Sequence, residues 1–126
     1  MYDNDLFSRW MGMELVTVGA GACTLRMTVR AEMLNGFGVA HGGITFSLAD
    51  SAFAFACNSS GRHTVSIHCT VEHVAPVFEN DVLTAEAVEE HLGNAVSNYA
   101  IRVTKQDGSA VAFFRGVAFR KKQVWE

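Results

Sequence analysis

The chain has 126 residues, 49% of them hydrophobic, a single proline and a net charge of −3. This length and composition predict one folded domain over 1–126 with a core of its own. The acidic balance, without any block of like charges, argues against a protein that binds nucleic acid. A membrane span is not expected, since the longest apolar run, 44–56, is short and contains Asp50.

The cysteines and the first residues bear on the cellular compartment. Cys23, Cys57 and Cys69 are odd in number and lack paired spacing, which is typical of reduced thiols and not of a disulfide framework. The chain does not begin with a basic segment followed by an apolar one, as a secretory signal would. We therefore expect a soluble cytoplasmic protein.

The first third of the chain predicts a short helix, two strands and a loop. Residues 3–13 can form an amphipathic helix that stops at Gly12. Its apolar face carries Leu6, Phe7, Trp10 and Met11. Segments 14–18 and 23–29 alternate in polarity, which indicates a strand pair or one bent strand. A loop over 31–40 leads to the next element.

A long helix is predicted over 42–58, with Gly61 as its stop. The segment is apolar on nearly every face, which is typical of a buried helix. Asp50 lies within it and is the only charged side chain between Glu32 and Arg62. A buried carboxylate rarely lacks a partner or a chemical task, so Asp50 needs an explanation.

After this helix the polarity alternates with a period of two, which predicts strands over 65–74, 82–90, 95–104 and 110–120. Gly93-Asn94 and Asp107-Gly108 are expected hairpin turns, because their residues tolerate positive φ. The strands should form an antiparallel meander. One long apolar helix with about five strands predicts an α+β fold in which a curved sheet wraps the helix.

The start of the long helix offers a site for an oxyanion. His41 is followed by Gly42 and Gly43, where the first backbone N–H groups of a helix have no internal partner. Asp50 lies about 12 Å further along the axis, so one chain cannot bring both groups to one reacting carbonyl. A second copy of the helix, antiparallel across a two-fold axis, would supply the acid. The spacing therefore predicts at least a dimer.

Several short segments together resemble a known family. They are Leu34-Asn35-Gly36, His41-Gly42-Gly43, Ser47-Leu48-Ala49-Asp50, Ala56-Cys57-Asn58, Val65-Ser66 and Phe114-Arg115-Gly116. The chain resembles the hotdog-fold acyl-CoA thioesterases, most closely the phenylacetate-degradation subfamily. The resemblance implies hydrolysis of acyl-CoA or aryl-acyl-CoA thioesters, without metal or cofactor, by a homo-oligomer that is a dimer of dimers.

The resemblance also implies roles for individual residues. The backbone N–H of Gly42 would polarise the thioester carbonyl, and Asp50 of the other subunit would act as general base or as nucleophile. Ser66 would orient the attacking water. Asn35 and His41 would position substrate or water.

The substrate itself would be held by further groups near these residues. Gly43 at the helix start would contact it. Of the phenylalanines Phe37, Phe46, Phe53 and Phe55, most should fill the core, and one or two, with Phe37 and Phe46 as the candidates, would line the acyl pocket. Because CoA is polyanionic and the protein is net negative, a local basic patch is expected. Its candidates are Arg115, Arg120, Lys121 and Lys122.

Other interpretations remain open at this stage. Each predicted site residue has a structural alternative, such as a turn role for Asn35 or a strand-face hydroxyl for Ser66. His63, His68, Cys69 and His73 invite a metal hypothesis, but they lack the paired spacing of zinc sites. An acyl-thioester hydratase or dehydratase with His41 and Asp50 as acid and base is a second function, and a non-catalytic acyl-CoA-binding module is a third.

Overall fold

The computed structural model, which describes residues 1–125, is a curved antiparallel sheet around one long helix. The helical elements are 3₁₀ turns at Tyr2–Asn4 and Ala31–Met33, α1 Leu6–Trp10 and α2 Gly42–Asn58. The strands are β1 Glu14–Gly19, β2 Ala22–Thr28, β3 Arg62–His73, β4 Val82–Leu92, β5 Val96–Thr104 and β6 Ala110–Val124. The predicted α+β hotdog architecture is confirmed.

The sheet has the strand order β1-β2-β4-β5-β6-β3. The meander is confirmed for β4, β5 and β6, but it was wrong to extend it to β3, which pairs with β6 at the far edge. The predicted hairpin turns join only β4 to β5 and β5 to β6, whereas segment 74–81 carries the chain across to β4. The sheet has six strands because β1 and β2 form a pair and not one bent strand.

The helix α2 fills the concave side of the sheet. Its residues Leu48, Ala49 and Ala52 are fully buried, as the all-round apolar pattern predicted. Phe53 and Phe55 belong to the core, and the ring of Phe53 lies so close to β6 that a side chain at Gly116 would overlap it. The alternating strands β4 and β5 close this core from the other side.

The N-terminal helix differs from its prediction. Instead of one amphipathic helix over 3–13, a 3₁₀ turn precedes a five-residue helix, and the segment ends at Gly12 with φ 77°. Met11 is buried, but Leu6 and Trp10 are 76% and 68% exposed. A helix of five residues can turn only a few side chains toward the core. Here Ser8 makes that contact, with 2.8 Å between its hydroxyl oxygen and that of Ser51 on α2.

The two predicted hairpin turns form for different reasons. Gly108 has φ 85°, which is the left-handed conformation expected of the Asp107-Gly108 pair. Gly93-Asn94 also lies between strands, but neither residue has a positive φ. Gly93 is required because a Cβ atom there would press against the carbonyl oxygen of Val96.

None of the helices within 1–125 is long and apolar enough to span a bilayer.

Candidate active site

The start of α2 is capped by the ring of His41. Its Nδ1 accepts a hydrogen bond of 3.0 Å from the backbone N–H of Gly43. Because Nδ1 accepts, the neutral ring carries its proton on Nε2, which is left to donate to another group. The N–H of Gly42, at the first position of the helix, has no acceptor within 1–125. The sequence predicted free N–H groups at both glycines, but that of Gly43 is taken by His41, so the helix start presents one free backbone donor, the N–H of Gly42.

Glycine keeps the space around this donor open. A Cβ atom at Gly42 would lie 3.3 Å from Nε2 of His73, and one at Gly43 would lie 3.1 Å from Nδ1 of His41. His73 is at the end of β3, so two imidazole rings flank the helix start. From the sequence, His73 was considered only as one of four possible metal ligands. Its position beside Gly42 depends on strand register, which no local motif reports.

Asp50 is partly buried on α2. Its carboxyl group has neither a hydrogen bond nor an ion pair within residues 1–125. Burial raises the pKa of this carboxyl above its ordinary value, and no cation counteracts the shift. Its negative charge in turn contributes to the raised pKa of the Cys57 and Cys69 thiols, although burial is the main cause for both. An unpaired, desolvated carboxylate is suited to accept a proton.

The edge strand β3 runs antiparallel to α2 and forms the wall beside Asp50. Its first part is tied to the end of α2 through Asn58, which bonds both N and O of Thr64, and its last part reaches Gly42 through His73. Cys69, opposite Gly116 on β6, lies between these ends and faces the helix. The neighbouring His68 pairs with Val117 on the opposite face of the sheet, as the alternation predicted.

Ser66 lies on the same edge strand but on the other side of a β-bulge. It pairs with Ala118, which is buried, so Ser66 faces the helix side of the sheet. The register shift between Ser66 and His68 changes which later residues share that face. The Ser66 side chain is exposed, and its hydroxyl has no partner within the described chain. In one protomer the Ser66 hydroxyl is therefore exposed to solvent, on the face of the sheet that packs on α2.

Asn35 organises the loop that precedes α2. Its Oδ1 accepts hydrogen bonds from the backbone N–H groups of Phe37, at 2.9 Å, and Val39, at 3.4 Å. The turn role considered for Asn35 is thus observed, while its Nδ2 group remains available for another partner. The loop holds Phe37 outward with 93% of its surface exposed. Phe37 is therefore not part of the core of its own protomer.

The other predicted substrate-binding residues do not form one group. Phe46 packs on Phe114 at a ring-centroid distance of 5.3 Å, as a core contact. Arg115 makes an ion pair with Glu90. Arg120 donates a hydrogen bond of 2.6 Å to the carbonyl oxygen of Gly93. The exposed Lys121 follows at the end of β6.

A single protomer therefore does not join the predicted catalytic groups into one site. Gly42 and Asp50 remain about 12 Å apart along the helix. A surface cavity of about 470 Å³ lies near the other end of α2, between Tyr2, Phe55 and Trp125, and contains neither group. The edge of β3, beside Ser66, has no further strand paired to it within the described residues.

Comparisons with known proteins agree with this arrangement. A model of the Thioesterase superfamily matches residues 37–112. The acyl-coenzyme A thioesterase PaaI of Escherichia coli is 42% identical over 120 residues, which cover 95% of this chain and 86% of that protein. Human acyl-coenzyme A thioesterase 13 is 30% identical, covering 84% of this chain and 79% of its own.

The solved structure of the E. coli PaaI protein from the phenylacetic acid degradation operon superimposes with a TM-score of 0.96 and 41% identity. It covers 98% of this chain, and the chain covers 90% of it. The likeness therefore extends over the matched residues 37–112, with the helix start and Asp50, and over the flanking strands. The chain belongs to the Thioesterase superfamily.

Proposed function

We propose that this protein hydrolyses the thioester bond of acyl-CoA substrates, with aryl-acyl groups of the phenylacetyl kind as the favoured class. The observation that carries the proposal is the pair of functional groups on α2. Gly42 offers a free backbone donor at the helix start, and Asp50 is a desolvated carboxylate without a partner in the described chain. The family to which the chain belongs supports this reaction over others.

The chemistry follows from the charges that develop in the reaction. The N–H of Gly42 hydrogen-bonds the thioester oxygen and stabilises the oxyanion that forms when the carbonyl is attacked. Asp50 takes a proton from water, which adds to the carbonyl carbon, and the CoA thiolate leaves and is protonated. If Asp50 instead attacks the carbonyl directly, a mixed anhydride forms and water cleaves it. The products are the same acid and thiol.

The proposed active unit is a homodimer in which each site draws on both chains. Two α2 helices, antiparallel across a two-fold axis, bring Gly42 of one protomer to Asp50 of the other. The unpaired edge of β3 supports this assembly, since an exposed sheet edge favours pairing with another strand. Exposed apolar side chains there, Val65 and Ile67, would be covered. A dimer of dimers is the proposed complete assembly.

The acyl group and the compartment are proposals of the same kind. The relative from a phenylacetic acid degradation operon suggests an aromatic acyl group for this chain. The side chain of the loop residue Phe37 is exposed, and in the proposed assembly it would contact a ring bound by a neighbouring protomer. All three cysteines are free thiols, in keeping with a reducing cytoplasm.

A thioester panel tests the function directly. We expect thiol release from phenylacetyl-CoA and from benzoyl-type and straight-chain acyl-CoA substrates, with the highest kcat/KM for an aryl-acyl group. Release is followed with a thiol reagent, and the free acid is identified by mass spectrometry. Binding without release from any thioester would support an acyl-CoA-binding module. Hydration of an enoyl-CoA without thiol release would support a hydratase.

The pH dependence of the reaction should report Asp50. Because burial raises the pKa of its carboxyl, kcat/KM is expected to rise with pH through one ionisation that lies above the ordinary aspartate value of about 3.9. The ionised form is active, so activity is lost as the pH falls through this pKa. A profile measured from pH 4 to 8 checks this, and a flat profile would remove Asp50 from the role of base.

A further inference from the structure

The end of β3 brings the imidazole ring of His73 against the start of α2. His73 pairs with Ala112 of β6, which is fully buried, so its side chain points to the helix side of the sheet. Of the ring atoms, Nε2 is the nearest to Gly42, at 3.3 Å from the position that a Cβ atom would occupy there. Cε1 and Cδ2 follow at 3.6 Å and 3.9 Å. The ring therefore turns its Nε2 edge toward the free backbone donor.

Hydrogen-bonded backbone holds this ring in place on both sides. The N–H of Val74, directly after His73, donates to the carbonyl oxygen of Val111 on β6 at 2.9 Å. The loop that leads into α2 is tied to the segment after β3, because the N–H of Ala40 donates to the carbonyl oxygen of Val77 at 2.7 Å. A side chain carried by such fixed elements keeps its position relative to the helix start.

The ring of His73 has no other task in the described chain. The one hydrogen bond that a histidine ring makes within residues 1–125 is that of His41 to Gly43. His73 forms no ion pair there, and its side chain is exposed. A histidine that served only the packing of the core would be buried with its nitrogens bonded to the protein. Both nitrogens of His73 are instead available to a ligand.

The backbone nitrogen of Gly42 and Nε2 of His73 are close enough to bind one oxygen atom together. A backbone nitrogen lies about 2.5 Å from the Cβ position of its own residue. Since Nε2 is 3.3 Å from that position, the two nitrogens are at most about 6 Å apart. Two donors that each lie about 2.9 Å from a shared oxygen can be separated by up to about 6 Å. The contact therefore meets the distance condition for a pair of donors.

We propose that Nε2–H of His73 is a second donor to the thioester oxygen, beside the N–H of Gly42, an inference that rests on the proposed function. Nε2 carries a proton in the imidazolium form and in one of the two neutral tautomers. The thioester oxygen gains negative charge when the carbonyl is attacked, so a donor there binds the transition state more tightly than the substrate. His73 is then a catalytic residue that no motif of the sequence marks.

Donation of a proton to the leaving CoA thiolate is the other role that a histidine could take at this place. An alkyl thiol has an ordinary pKa of about 8.5, so the thiolate can leave near neutral pH without being protonated first. The oxygen of the tetrahedral intermediate carries a full negative charge, and hydrogen bonds to ionised acceptors are about twice as strong as neutral ones. The larger gain therefore comes from the bond to the oxygen.

Replacing His73 by phenylalanine keeps an aromatic ring and removes the donor. We expect kcat to fall by about 10²-fold, the scale for one oxyanion donor, while KM changes by less than about twofold. His73→Gln, which keeps an N–H donor on a side chain of similar length, should lose no more than about tenfold. The matched control is His91→Phe, an exposed histidine near the other end of the sheet, where β4 ends. It should change neither constant.

Infrared spectroscopy tests the hydrogen bond without turnover. Asp50→Asn should hold phenylacetyl-CoA intact, and a ¹³C label at the carbonyl separates its stretching band from those of the protein. A donor to the carbonyl oxygen lowers this frequency, so adding His73→Phe to Asp50→Asn should move the band to a higher wavenumber. Adding His91→Phe should leave the band in place.

A band that does not move with His73→Phe would overturn the assignment whatever the kinetics, because a kcat loss would then come from packing. An undiminished kcat in folded His73→Phe would overturn it as well. Thiol release by the wild-type protein tests the proposed function alone. If no thioester is cleaved, the band of a bound thioester still reports whether His73 donates to it, so the two can fail separately.

Discussion

Replacing Asp50 by asparagine is expected to lower kcat by about 10²-fold or more. The change keeps the shape of the side chain and removes its ability to accept a proton, and the loss of a general base has this usual scale. KM should change little, because the oxyanion donor at Gly42 and the substrate contacts remain. Steady-state kinetics on the best thioester of the panel measure both constants. A variant with more than half of the wild-type kcat would contradict the assignment of Asp50.

The folded state of this variant can be checked independently. Because burial raises the pKa of Asp50, the stability that its protonated form provides is complete below the ordinary aspartate pKa and is lost as the pH rises through the shifted value. At pH 7 the ionised carboxylate therefore destabilises the fold, and Asp50→Asn should unfold at the same or a higher temperature. Glu86→Gln, on the outer face of the sheet, is the matched carboxylate-to-amide control and should leave kcat unchanged.

The sequence predicted those features that depend on local pattern. The bounds of α2 follow from the glycines at its start and from an apolar run that ends before Gly61. Asp50 stood out because it is the only charge in that run, and its desolvation agrees with the expected chemistry. The strands β4, β5 and β6 follow from alternation and from two turn pairs. In each case the signal lies within a few consecutive residues.

Features that depend on long-range pairing were not predicted. The place of β3 beside β6 requires a connection that crosses the sheet, and no turn pair marks it. The bulge after Ser66 shifts the face of all later residues, so alternation alone could not place Cys69 and His73 toward the helix. Arg62 of β3 and Arg120 of β6 both donate to carbonyl oxygens of the turn between β4 and β5, at Asn94 and Gly93. Such contacts are set by the register of the sheet.

A mixture of two inactive variants is expected to regain activity if the site is shared between protomers. Asp50→Ala removes the acid, and Gly42→Pro removes the backbone donor while proline remains acceptable at the first position of a helix. A dimer with one chain of each kind holds one intact site, built from Gly42 of the first chain and Asp50 of the second. After random exchange, half of the dimers are mixed, so about a quarter of the wild-type activity should return.

The control for this experiment is Gly42→Ala, which adds a Cβ atom beside His73 but keeps the N–H. It should retain far more activity alone than Gly42→Pro, because the oxyanion loses its donor only in the proline variant. Subunit exchange is followed by native mass spectrometry of differently tagged chains, so that mixed dimers are counted and not assumed. If mixed dimers form and the activity stays at the level of either variant alone, Gly42 and Asp50 act within one chain. The distance of about 12 Å along α2 would then have to be closed by a movement of the helix start, because the straight helix cannot bring both groups to one carbonyl.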